Sequence, residues 1–397
     1  MTAESRIETV RGTRDWLEQD HARLRDVESR LLDHFARAAY LPVRTPVLEF
    51  AELHERKSGA GIVAKLDELA DDRAGRVCLR PELTAGIVRA YTAAAACPPL
   101  PWRVSASGVV FRHEAPRPGF DREFTQVGVE RIGDGGPAAD AEVLWLADSA
   151  LRELGVRNAS VRVGHVGVLL EMLERSGLPE SIRATLVDVI SEAAAEGRDV
   201  AAVETAIDRL SGWLLGVSGA GEGGEPPEAE AFDRLFRHLV PDVAGRRRPE
   251  EILARLRRKW DLSRRLRDVL AGLSARIHAL AALRGPAVAV ADRLRVDFDD
   301  VAPHSVGELV EMISLLDDRG VDPARVTLDM GFGRGLGFYT QMIFEIAVPG
   351  PGGLVDLCGG GRYDGLARVL GSDRDDRGAG FAFGLERLVV HLDAARS

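Results

Sequence analysis

A small set of polar side chains defines the chemistry open to this chain. Glu82, Gln126 and Glu130 offer acceptors beside short apolar runs, and Arg112, Arg334 and Arg387 offer guanidinium donors at turns. Such a set can hold a cationic group at one end of a ligand and an anionic group at the other. Glu82 ends the run Val77-Cys78-Leu79-Arg80-Pro81-Glu82, which reads as a strand stopping at a proline-fixed turn before a helix through Ile87, Val88 and Tyr91. A carboxylate there can hold a ligand ammonium group, or it can cap the helix electrostatically. Gln126 and Glu130 share one face of the alternating run Phe124, Gln126, Gly128, Glu130, Ile132. They stand roughly 13 Å apart at about 3.3 Å per residue. That face is a ligand floor or a solvent-facing surface. Arg334 lies in a glycine-rich bend that brings positive charge close to a phosphate, and Tyr339 beside it offers a hydroxyl. Arg387 follows Gly380-Phe381-Ala382-Phe383-Gly384, where an apolar strand turns into a helix. A fixed guanidinium at that turn meets a nucleotide phosphate or lies over a base, unless it is a plain surface arginine. The glycine run Gly359–Gly361 lets the backbone approach something flat or anionic. No P-loop sequence is present, so any ATP is held in another way.

Positioning these groups takes a sizeable fold. At 397 residues the chain is long enough for two domains, with an ordinary globular mixture of 45% hydrophobic and 29% charged residues. The net charge of −10 argues against broad nonspecific nucleic-acid binding while leaving room for a local basic groove. No apolar run reaches the roughly 18–20 residues that span a bilayer. The N-terminus has no signal-peptide core, and Cys78, Cys97 and Cys358 follow no metal-ligand or disulfide spacing. A cytoplasmic protein without a membrane segment or a bound metal is expected.

Leu17, Leu24, Val27, Leu31, Leu32 and Phe35 predict a long amphipathic helix over residues 15–40. Tyr40–Phe50 reads as an edge strand, confined there by Pro42 and Pro46, and as a dimer surface or an ordinary edge. Val104–Phe111 and Phe124–Ile132 predict a hairpin joined by the Arg-, Pro- and Gly-rich loop Arg112–Arg122. Helical patterns dominate from 160 to about 285, interrupted by the acidic linker Ser218–Glu230. The basic clusters at Arg246–Arg248 and Arg255–Lys259 read as solvated helix ends, with nucleic-acid contact as the alternative. Strands resume at Val326–Met330 and Met342–Ile346. The expected division is a core in two parts, 1–165 and 286–397, around a helical insertion at 166–285.

Together these stretches resemble the catalytic core of class II aminoacyl-tRNA synthetases, specifically the histidyl-tRNA synthetase family. The resemblance covers roughly residues 10–160 and 285–393. Pro46 and its neighbours match the first motif. FRHE (Phe111–Glu114) with REFTQVGVE (Arg122–Glu130) matches the second, and GAGFAFGLERL (Gly378–Leu388) the third. RGLGFY (Arg334–Tyr339) and GGGRYDGL (Gly359–Leu366) match the family's histidine-binding signatures. The resemblance implies an α+β fold, an antiparallel sheet flanked by helices, with a helical insertion. It implies that Glu82 and Gln126 hold a substrate ammonium group, and Glu130 and Tyr339 an imidazole. Arg112 and Arg387 would clamp ATP phosphates, Glu114 would lie near adenine, and Arg334 would stabilise charge during adenylation. The sequence departs from the pattern at Phe120, where an arginine is usual, and at Gly337 and Phe338, where the usual RGLDYY has an aspartate and a tyrosine. It also stops about a helix after Arg387, where the family continues into an anticodon-binding domain.

The resemblance then implies one of two activities. The first is the regulatory subunit of ATP phosphoribosyltransferase, which is not itself a catalyst. It pairs with the short-form catalytic subunit in the first step of histidine biosynthesis and takes histidine as a feedback ligand, with no cofactor. The second is a ligase that adenylates histidine or a relative with ATP and Mg2+, for an unknown acceptor. Both imply a homodimer through the first motif, and neither takes tRNA as a partner.

Overall fold

The structure is a computed structural model that describes residues 7–58, 66–71, 75–94, 97–113, 121–180, 182–183, 186–187, 268–332, 338–350, 352–374 and 376–394. The chain begins with helix α1 (Glu18–Arg37), whose Leu24, Val27, Leu31 and Phe35 recur at helical spacing and are buried. Acidic residues open it and His34 and Arg37 close it, matching the helix dipole. The single edge strand expected over Tyr40–Phe50 is two short strands, β1 (Leu41–Pro42) and β2 (Leu48–Phe50). Helix α2 (Ala51–Ser58) follows, then β3 (Asp67–Asp71) and β4 (Gly75–Leu79). Strands β2, β4 and β3 form a small antiparallel sheet. A tight turn at Arg80–Leu83 leads into α3 (Thr84–Ala93).

The large sheet takes most of the remaining chain. Its first hairpin is β5 (Trp102–Phe111) and β6 (Glu123–Ile132). Helix α4 (Pro137–Glu153), β7 (Ser160–His165) and α5 (Val166–Arg175) come next. Further along the chain, β8 (Arg284–Pro286), α6 (Ala287–Phe298), α7 (Pro303–Asp318) and β9 (Val326–Asp329) resume the core. It closes with β10 (Met342–Gly350), β11 (Gly353–Arg362), α8 (Leu366–Val369), β12 (Gly378–Gly384) and α9 (Leu385–Ala394).

The strand order is β1-β5-β6-β12-β11-β10-β7-β9-β8. The run from β5 to β7 is antiparallel throughout, while β1 lies parallel to β5 and β9 parallel to β7. Strand β12 is the join between the two halves of the sequence. Its Gly380 pairs with Glu130 on β6, and its Phe381 with Gly360 on β11. Helices α1, α4 and α9 pack on this sheet. Phe35 sets its ring edge-on to Phe381 and parallel to Phe383, with centroids 5.7 and 6.5 Å apart. Arg362, the arginine of the GGGRYD stretch, is fully buried and pairs with Asp140 of α4 at 2.6 Å. It also reaches Asp364 at 3.1 Å and the Gly136 carbonyl at 3.4 Å, so this arginine holds the start of α4 to the end of β11.

By its contacts the chain divides into two compact units, Met1–Met172 with Ala281–Ser397, and Leu173–Leu280. In the second unit residues 268–280 are helical, and Leu270, Leu273, Ile277 and Leu280 are buried. The linker Ser218–Glu230 and both basic clusters lie outside the described residues. Among the described residues no helix is long and apolar enough to cross a membrane.

Candidate functional site

A cavity of about 270 Å³ opens over β6, β10, β11 and β12. Five of the expected residues, Glu82, Arg112, Gln126, Tyr339 and Arg387, line it together. They come from distant parts of the chain and meet because the sheet interleaves its two halves. Lys57, Glu345, Asp356, Tyr363 and the rings of Phe338, Phe344 and Phe381 complete the wall. Arg334 and Glu114 lie outside the described residues, as do Phe120 and Gly337.

Glu82 sits at the end of the Arg-Pro-Glu turn. Arg80 fixes that turn from inside, donating to the carbonyls of Val109 and Thr45 at 2.9 Å. The Glu82 carboxylate does cap α3, accepting from the N–H groups of Thr84 at 2.8 Å and Ala85 at 2.9 Å. It also lines the cavity, so capping the helix leaves the side chain at the open space. Its cation is already present. Lys57 Nζ lies 2.9 Å from Glu82 Oε2, with its side chain 3% exposed, and His54 Nδ1 lies 3.7 Å from Oε1. The Lys57 ammonium also sits 4.0 Å from the centre of the Phe338 ring. Burial alone raises the Glu82 carboxyl, but Lys57, His54 and the Ala85 N–H outweigh it and hold it at about 2.

Gln126 and Glu130 differ in their placement. Gln126 lines the cavity, with its Oε1 accepting from Leu83 N at 3.1 Å. Glu130 lies behind the wall. It accepts from Thr84 Oγ1 at 2.6 Å and from the Tyr363 hydroxyl, and both of those side chains reach the cavity. Burial pushes its carboxyl up to about 7, and the two hydroxyls offset only part of that. Gly380 makes room for it, since a Cβ there meets the Glu130 carboxylate and the Val129 carbonyl. Of the glycine run, Gly359 and Gly360 line the cavity, while Gly361 admits a ring of the chain itself. A Cβ on Gly361 comes 2.8 Å from the Tyr339 ring. The Tyr339 and Tyr363 hydroxyls are both raised, by burial first and by Glu130 next.

The positive end of the cavity comes from the two described arginines. Arg112 donates Nε to the Pro81 carbonyl at 2.9 Å and lies over the Phe124 ring at 5.2 Å. Arg387 occupies the first turn of α9, held by its neighbour. Glu386 accepts from Thr125 N through both oxygens at 2.9 Å and ties α9 to β6. Cys358 is walled in, and burial raises its thiol well above the ordinary range. Among the described residues no cluster of His, Cys, Asp and Glu is arranged to ligate a metal. The wall thus sets aromatic rings beside carboxylate, ammonium and guanidinium groups, the mixture typical of small-molecule pockets.

A family model described as histidyl-tRNA synthetase matches residues 12–219 and 231–388. The chain belongs to the histidyl-tRNA synthetase family. It is 31% identical over 383 residues to the histidine–tRNA ligase of Archaeoglobus fulgidus, spanning 96% of this chain and 75% of that relative. It is 32% identical over 380 residues to the ATP phosphoribosyltransferase regulatory subunit of Moorella thermoacetica, spanning 96% of this chain and 80% of that relative. Among solved structures, one described as an ATP phosphoribosyltransferase regulatory subunit/histidyl-tRNA synthetase from Bacillus halodurans aligns with a TM-score of 0.68 at 23% identity, over 97% of this chain and 83% of that one. That likeness shows the fold, a large mixed sheet flanked by helices. Within the family frame, Lys57, Thr84 and Tyr363 are the site residues that motif reasoning passed over. Tyr363 lies inside a matched signature, and Thr84 opens the helix after Glu82. Lys57 had a weaker signal: it shares the spacing of Leu53 and His54, the inward face of α2.

Proposed function

We propose that this chain is a ligand-binding regulatory subunit of ATP phosphoribosyltransferase, acting in the first step of histidine biosynthesis. Its effector is a small imidazole-bearing carboxylic acid, histidine or a relative, held in the cavity over β6 and β12. The observation that carries this reading is the Glu82–Lys57 pair at 2.9 Å. A synthetase must hold its amino acid by the ammonium group while the carboxylate reacts, and Glu82 is the acceptor the family assigns to that task. Here the acceptor is engaged by the chain's own lysine. A sensor needs only differential occupancy between two states of its assembly. The 32% identity to a regulatory subunit supports the same reading. The partner is the short-form catalytic subunit. The chain itself pairs as a homodimer through the first-motif edge, where Leu41, Leu48 and Phe50 are exposed. The test is to mix purified chain with a short-form catalytic subunit. Co-elution and a phosphoribosyl-transfer rate that depends on this chain are expected. A catalytic subunit equally active alone, with no complex, overturns the reading.

A second reading rests on Arg112 and Arg387, which line the same cavity. In a ligase these guanidinium groups hold ATP phosphates, with Mg2+ arriving on the nucleotide. ATP supplies the adenylyl group, its α-phosphorus taking the ligand carboxylate as pyrophosphate leaves, and the chain supplies position and charge. Ligand-dependent exchange of pyrophosphate into ATP by the purified chain, lost in Arg387→Ala, favours this reading over the first.

A further inference from the structure

We infer that Lys57 sets the ligand class of the cavity: it favours an imidazole-bearing carboxylate that lacks an α-ammonium group over the corresponding amino acid. This rests on the reading that the cavity takes a small imidazole ligand, and it specifies that ligand's head group.

The acceptors that Glu82 and Gln126 offer an incoming ammonium are accounted for. Glu82 Oε2 accepts from Thr84 N and from Lys57 Nζ. Glu82 Oε1 accepts from Ala85 N and has His54 Nδ1 beside it. Each oxygen thus has a backbone donor and a side-chain partner, close to the capacity of its lone pairs. Gln126 Oε1 is engaged by Leu83 N, which leaves its amide donors for the cavity. A ligand ammonium placed here displaces Lys57 or sits against it, and like charges in a partly dry site repel strongly.

Displacing Lys57 is itself unfavourable. Its side chain is 3% exposed and comes from the inward face of α2, and its ammonium lies against the Phe338 ring. Leaving Glu82 removes both a carboxylate contact and a cation–π contact. A carboxylate head group meets the opposite situation. Lys57 keeps N–H donors after bonding Glu82, the Gln126 amide donates, and Arg112 lies on the same wall. Lys57 therefore acts as a built-in substitute for a ligand ammonium at Glu82, and the donors of Lys57, Gln126 and Arg112 favour an acid there, with Glu345 and Asp356 the wall's other carboxylates.

The probes are L-histidine and imidazolepropionate, which share a skeleton and differ by the amine. Calorimetry on the full chain compares their affinities in the wild type and in Lys57→Met, which keeps the bulk of the stem and removes the charge. Imidazolepropionate is expected to bind wild type at least tenfold more tightly than histidine. In Lys57→Met histidine is expected to gain at least tenfold and become the preferred ligand. The wild-type comparison decides without the variant, should the variant not fold. Histidine binding wild type as tightly as imidazolepropionate, or more tightly, overturns the inference and leaves the imidazole-pocket reading intact. Failure of both probes to bind overturns the pocket reading, and the inference with it.

Discussion

Glu130 carries the pH behaviour of the site. Burial raises its carboxyl from near 4.5 to about 7, so at neutral pH it is divided between charged and neutral forms. Between those two values the folded chain holds a proton that the unfolded chain releases. Stability is therefore complete below about 4.5 and falls, by up to about 1.4 kcal/mol per pH unit, as pH rises through 7. Glu130→Gln is expected to flatten that dependence, measured by urea denaturation at about pH 5 and about pH 8. Glu82 runs the other way. Its carboxyl is held at about 2, so its contribution is present above the ordinary carboxylate range and lost as pH falls toward 2. Glu82, Gln126, Arg112, Tyr339 and Arg387 were legible in the sequence because each sits in a motif or at a strand end. Lys57 was not. Its partner lies far along the chain, and AELHERKS reads as a charged surface helix unless the inward spacing of Leu53, His54 and Lys57 is followed.

The elements hold the site through a few buried polar ties. The clearest is Arg362 with Asp140, both buried, joining β11 to α4. Removing the guanidinium leaves a carboxylate without its cation in the interior. Arg362→Ala is expected to cost about 3–5 kcal/mol, read as a lowered denaturation midpoint. Gly380→Ala acts on the same sheet by crowding, since its Cβ meets the Val129 carbonyl and Glu130. A loss of about 1–3 kcal/mol is expected from thermal melts. The helices and long strands were readable because their apolar periods are clean: α1, the β5–β6 hairpin and β12 lie where the pattern puts them. The break in Tyr40–Phe50 was less readable. Proline and β-branched residues mark extended chain there, but pairing decides where a strand begins, and β1 and β2 pair in different sheets.

At the scale of the whole molecule, the exposed edge beside α1 governs assembly in the proposed homodimer. Leu41, Leu48 and Phe50 are 67%, 53% and 55% exposed on neighbouring short strands. Leu48→Glu combined with Phe50→Glu is expected to give one-chain mass by light scattering at micromolar concentration, where wild type gives two. The nine-strand order has a further consequence, for biosynthesis. The floor of the cavity needs β6 and β12 side by side, yet a ribosome makes β12 roughly 250 residues after β6, about 12–50 s later at 5–20 residues per second. Until then β6 has β5 on one side and an open edge on the other, with the buried carboxylate of Glu130 still in water. The nascent chain carries that edge unpaired until β12 emerges, and β12 is the strand that completes the cavity floor.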